Sequence, residues 1–177
     1  MKANAPRVVL FTGDGKGKTT AALGMVLRAS GHGLKCFIVQ FIKAAGETGE
    51  LGACRNLPGV EIVQAGLGFI PDNKTNPAFA AHQEAAQEGL KKAKAAIADG
   101  NYDLVVMDEV CPAVTKDLLT EEAVIESIHK AGPEVVIVMT GRQAPAGLIN
   151  LADTVTEMTM IKHGYSAGWP AQRGVEF

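Results

Sequence analysis

The residues with the clearest chemical purpose lie in GDGKGKTTAALG (Gly13–Gly24), where glycine alternates with charged residues directly after an apolar run. Gly13, Gly15 and Gly17 let the backbone curl so that successive amides point inward, and a helix opening near Lys18 adds its unsatisfied N–H groups and the positive end of its dipole. Such a concentration of donors suits a polyphosphate. Lys18 would set an ammonium on the phosphate chain, and the Thr19 hydroxyl is placed to ligate magnesium. Thr12 to Thr20, with Asp14, Lys16 and Thr20 in the same stretch, therefore reads as a cradle for a nucleoside triphosphate and its Mg2+. The usual spacing of such a loop calls for glycine at position 12, where this chain has Thr12, and Lys16 is an additional cation inside it.

Two further pieces belong to the same chemistry. LVVMDE ends an apolar run on Asp108 and Glu109, the place where an acid holds magnesium directly or through water in proteins with such a loop. VVIVMTGR puts Arg142 just past another apolar run, where a guanidinium can fork onto phosphate oxygens.

These groups need a frame. VVLF (Val8–Phe11), CFIVQF (Cys36–Phe41), LVVMD (Leu104–Asp108) and VVIVMT (Val135–Thr140) are almost continuously apolar and rich in β-branched residues, the pattern of strands buried on both faces. Val60–Gln64 and Thr154–Met160 alternate more and are expected nearer an edge. Helical stretches intervene at Lys18–Ser30, Pro77–Ala98, Glu121–Lys130 and Ala146–Ala152. Asn76 before Pro77, and Thr120 before two glutamates, are suited to cap two of them. Alternating strands and helices specify an α/β fold, a doubly wound and mostly parallel sheet of about six strands flanked by helices, similar to the nucleotide-binding folds that carry such loops. Lys43–Asn56, Ala65–Asn76 and Lys162–Phe177 fit no regular element, and loops of that length in a compact domain usually bind something.

A chain of 177 residues is enough for one core, so residues 1–177 are expected to form a single domain. The net charge of −2 gives no footprint for nucleic acid or an anionic membrane, and no run approaches the ~20 apolar residues of a bilayer span. A cytoplasmic protein is expected. Cys36, Cys54 and Cys111 lack metal-site spacing and are expected to be reduced, buried thiols.

Taken in order, GDGKGKTTAALG, VQFIK (Val39–Lys43), LGF (Leu67–Phe69), LVVMDEV, TGR (Thr140–Arg142), LADTVTEM and KHGYSAGWPAQRGVEF resemble the P-loop family of corrinoid adenosyltransferases over nearly the whole chain. GxGKGKTTAA is that family's own variant of the loop, which accounts for Thr12. The resemblance implies transfer of the 5′-deoxyadenosyl group of ATP to the Co(I) of a reduced corrinoid, with release of intact triphosphate, in cobalamin biosynthesis or salvage. ATP would be attacked at ribose C5′, with its terminal phosphate deep in the loop.

Carried onto this sequence, Gly13 to Thr20 would cradle the phosphates. Lys18, Arg142 and magnesium would neutralise the departing triphosphate, while Thr19 with Asp108 or Glu109, Glu109 by preference, would hold the metal. Lys18, Glu109 and Arg142 are thus the expected catalytic set. Phe69 would lie against the corrinoid and displace its lower ligand; Pro71 stands where some members carry a second aromatic. Family members are typically homodimers served by a reductase that supplies Co(I). Longer members close the site with an N-terminal segment, a task expected here of the tail or a neighbouring subunit. Two other readings of the cradle are a phosphoryl-transferring ATPase or small-molecule kinase, and a non-catalytic nucleotide or corrinoid carrier.

Overall fold

The computed structural model describes residues 5–44, 46 and 48–175. Six strands form one sheet: β1 (Arg7–Thr12), β2 (Cys36–Ala44), β3 (Val60–Gly66), β4 (Leu104–Asp108), β5 (Val136–Thr140) and β6 (Thr154–Glu157). Their order is β3-β2-β4-β5-β1-β6 and every pairing is parallel. The two strands read as less apolar are the two edges. β6 stops at Glu157, three residues before the expected Met160, and all four of its residues are exposed.

The continuous apolar runs are explained by burial on both faces. Side chains alternate across the pleat, so Leu10, Phe37, Val39, Val105, Met107, Ile137 and Met139 enter one core, while Val9, Ile38, Val106 and Val138 enter the other. The first core is covered by α3 (Pro77–Ala98), α4 (Val110–Thr115), α5 (Glu121–Ile128) and α6 (Ala146–Leu151); the second by α1 (Lys18–Gly31) and α2 (Gly49–Arg55). α3 presents Phe79, His82, Ala86, Gly89, Ala93, Ala96 and Ile97 inward, a stripe at helical spacing. Gly89 permits the closest approach, since a Cβ there would fall 2.6 Å from Ala65 Cβ.

The caps behave as their residue types dictate. Asn76 accepts from the Ala78 amide at 2.9 Å and Thr120 from that of Ala123 at 3.2 Å. The three cysteines are free and buried.

Two helices depart from the expected map. α2 occupies part of Lys43–Asn56, whose glycines lower helix propensity; it forms because Leu51 and Cys54 bury against the second core. α4 carries Pro112 in its first turn, where no intrahelical amide is required, and it begins directly after Glu109.

Candidate active site

Because β2, β4, β5 and β1 are neighbours, residues far apart in the chain leave the same carboxyl edge side by side, the edge where open α/β sheets bind ligands. A cleft of about 670 Å³ opens there.

Its floor is the loop after β1. Gly13 and Gly17 have φ of 91° and 116°, backbone that disfavours a side chain. Gly15 meets a second constraint: its amide donates to the Met158 carbonyl at 2.6 Å, and a Cβ on it would fall 2.6 Å from that same oxygen. One of the amides expected to face a ligand is therefore already used to fasten the loop to the end of β6. Lys18 is folded back over the loop, its ammonium donating to the carbonyls of Gly13 and Gly15 at 2.7 Å each, and it is only 7% exposed. Burial, then the nearby Arg142 charge, lowers its pKa against the opposing pull of Glu109 and Asp14.

The acid pair divides into two unlike halves. Asp108 is buried and accepts three hydrogen bonds: from the hydroxyls of Thr19 and Thr140 at 2.8 and 2.7 Å on Oδ1, and from Gln40 Nε2 at 3.1 Å on Oδ2. Glu109 has a left-handed backbone, φ 61°, held by its amide donating to the Thr140 hydroxyl at 2.9 Å, and its side chain lines the cleft. Burial, then the Asp108 charge, raises the Glu109 carboxyl pKa, while Lys18, Lys43 and Arg142 pull it down. Asp108 thus fixes the Thr19 hydroxyl by accepting its hydrogen bond, which leaves the oxygen's lone pairs available. Glu109 offers the free carboxylate.

Arg142 is exposed on the cleft wall. It follows Gly141, where φ is 143° and a Cβ would fall 2.3 Å from Pro112 Cδ, so the turn from β5 is wedged against α4 and aims the chain toward Glu109's helix.

Of the residues singled out from sequence, Gly15 to Thr20, Glu109 and Arg142 line the cleft together. Asp108 lies beneath it, and Asp14 is exposed off the lining. Phe69 stands apart on the loop after β3, 85% exposed, its loop tied down by the Gly68 amide donating to the Ile42 carbonyl at 2.8 Å and by buried Ile70.

Sequence reasoning assigned no role to Lys43, Glu50 or His163, all on the cleft wall. Lys43 and Glu50 form an ion pair. Burial raises the Glu50 carboxyl, but hydrogen bonds from Lys43, the backbone and Gln40, together with the Lys43 charge, outweigh it and the net shift is downward. Gln40 Nε2 also lies 3.5 Å from Glu50, and Gln40 Oε1 accepts from half-buried Gln64 at 3.2 Å, so the buried Gln40 amide ties the acid site to Glu50. Gln40 was visible only as a polar residue inside an apolar strand.

The family model described as ATP:corrinoid adenosyltransferase BtuR/CobO/CobP matches residues 4–177. The chain belongs to that family. A corrinoid adenosyltransferase of Pseudomonas aeruginosa is 42% identical over 171 residues, covering 96% of this chain and 83% of its own. Those of Escherichia coli K12 and Salmonella typhimurium LT2 are each 38% identical over 173 residues, covering 96% of this chain and 85% of theirs. Within this corrinoid adenosyltransferase the glycine loop, Glu109 and Arg142 are gathered on one cleft, and Asp108 reaches it from beneath through Thr19. Among the described residues no helix is long and apolar enough to cross a membrane.

Proposed function

We propose that this chain transfers the 5′-deoxyadenosyl group of ATP to the Co(I) of a reduced corrinoid and releases triphosphate, the whole chain acting as one domain. The observation that carries this reading is the cleft that sets Lys18, Arg142 and the glycine loop around a place for a polyphosphate, in a member of this family.

Magnesium fits the residues present. Thr19 Oγ1, held by Asp108, and the Glu109 carboxylate are hard oxygen donors that line the same cleft. Among the described residues no cluster of three or more His, Cys, Asp or Glu side chains is placed to hold a metal, so the ion would arrive with the triphosphate and take the rest of its shell from it. Bound there, it would supply positive charge against the departing phosphates.

In the reaction the cobalt electron pair forms the Co–C5′ bond as the C5′–O bond breaks, and the C5′–O bonding pair leaves on the triphosphate oxygen. Co(I) is itself the nucleophile, so no protein base is required. Lys18 would exchange its carbonyl partners for phosphate oxygens, and Arg142, which lines the same cleft, would meet the developing charge beside it. Asp108 keeps Thr19 oriented. Phe69, exposed beside the cleft edge of the sheet, offers the corrinoid an apolar face that excludes water from the lower side of cobalt. A homodimer in the cytoplasm, fed by a Co(I)-generating reductase, completes the proposal.

The test is incubation with ATP, Mg2+ and chemically reduced cobalamin under anaerobic conditions. A light-sensitive Co–C product, formed over many turnovers, is expected. Stoichiometric binding without turnover would instead identify a carrier.

A further inference from the structure

The segment after β6 grips the phosphate loop at both of its ends. Met158 donates its amide to the Thr12 carbonyl at 2.8 Å and accepts from Gly15, and a Cβ on Gly13 or Gly15 would fall 2.5 or 2.6 Å from the Met158 oxygen. The strand end is thus pressed against the outer side of the loop. At the far end, Lys16 Nζ donates to the Val175 carbonyl at 2.5 Å, and Val175 lines the cleft.

Between these two anchors, His163 also lines the cleft and is half-buried. Its Nδ1 accepts from the Tyr165 amide at 3.2 Å. That bond leaves Nδ1 without a proton, so the ring proton sits on Nε2, on the other side of the imidazole. No described residue accepts from Nε2. The neighbouring cations differ: Lys16 is held by Val175, Lys18 by two loop carbonyls and Lys43 by Glu50. His163 is a donor on this wall whose proton the protein itself does not take up.

We propose that His163 is a further triphosphate-binding residue, a neutral imidazole whose Nε2–H donates to a phosphate oxygen of the nucleotide and of the triphosphate product. The inference rests on the adenosyl-transfer reading for the identity of that product. A neutral donor grips the leaving group without adding another charge to a cleft that already holds four cations, and its location on the strap makes the tail part of the binding site.

The experiment measures calorimetric affinity for magnesium tripolyphosphate in the parent, His163→Ala and His163→Gln. Trp169, the sole tryptophan, packs on the same turn, with its amide donating to the Gly164 carbonyl at 3.0 Å; its fluorescence reports whether the tail is still folded. Loss of the donor in H163A should weaken binding roughly tenfold to a hundredfold, the range for a hydrogen bond to a charged group. H163Q, which restores an N–H at similar reach, should return to within about threefold of the parent. Trp169 emission should be unchanged in both. Equal affinity in all three proteins, or equal loss in both variants, overturns the proposal. The reading beneath it fails separately: a parent that binds tripolyphosphate through His163 yet never alkylates cobalt retains this donor and loses the adenosyl transfer.

Discussion

The phosphate end of the site and the Phe69 end are built by opposite means. Around the glycine loop the polar groups are buried and cross-linked through the sheet: Asp108 takes three hydrogen bonds from three different strands and helices, Lys18 two carbonyls, and Gly15 is fastened to β6. Phe69 sits on an exposed loop held by one backbone bond, by buried Ile70, and by two surface ion pairs, Asp72 with Lys116 and Lys74 with Asp117. Charge that develops on a leaving group must be met by dipoles already in place, because reorganisation during the reaction is costly. An apolar contact with a large planar acceptor has no such directional demand. In the proposed reaction the rigid end would therefore serve the leaving group and the adaptable end the acceptor.

The largest break in that contrast should come from Lys18. In Lys18→Ala the ammonium that would follow the departing charge is gone, and kcat for cobalt alkylation should fall by about 10² to 10³, measured by the visible spectrum of the cobalt product. Gly15→Ala should be nearly as damaging. Its Cβ would strike the Met158 carbonyl at 2.6 Å, so ATP affinity and thermal stability should fall together, read by calorimetry and by melting.

At the other end, Phe69→Ala should reduce kcat/KM for the corrinoid by about tenfold to a hundredfold, the worth of one apolar contact, while the Kd for ATP stays unchanged. A matching loss of ATP affinity would erase the distinction between the two ends.

Glu109→Gln sharpens it through pH. Burial raises the Glu109 carboxyl above its ordinary value of 4.5, so the unliganded protein at neutral pH holds a carboxylate it would rather protonate. Removing that charge should raise the melting temperature at neutral pH even as activity is lost. The gain should shrink as pH falls through the raised folded value, where native Glu109 takes up its proton, and vanish below 4.5, where both states are protonated. The smallest effect is expected from Asp72→Asn: an exposed pair is worth ~0–1 kcal/mol, so the corrinoid KM should change by no more than about fivefold, and less at high salt.

Much of this contrast was legible in the residues. Glycine spacing, the DE pair after an apolar run and the arginine after β5 mark the rigid end, because buried parallel strands write themselves as unbroken apolar runs and their carboxyl ends are where ligands go. α2 was not legible, since Gly49 and Gly52 conceal a helix held by two buried side chains. Neither were Lys43, Glu50 and His163: each is an ordinary polar residue in a loop or strand end until β2 lies beside β4 and the tail returns to the loop. Periodicity reports what a segment buries, not which distant segment it meets. The division of labour within the acid pair likewise depended on geometry, because only the left-handed turn at Glu109 frees one carboxylate while three donors fix the other.

The central claim is that the loop holds a triphosphate which departs whole. Phosphorus NMR of the products after turnover with ATP and reduced corrinoid measures this directly: inorganic triphosphate, equimolar with alkylated cobalt, is the predicted result, and ADP with orthophosphate would contradict it.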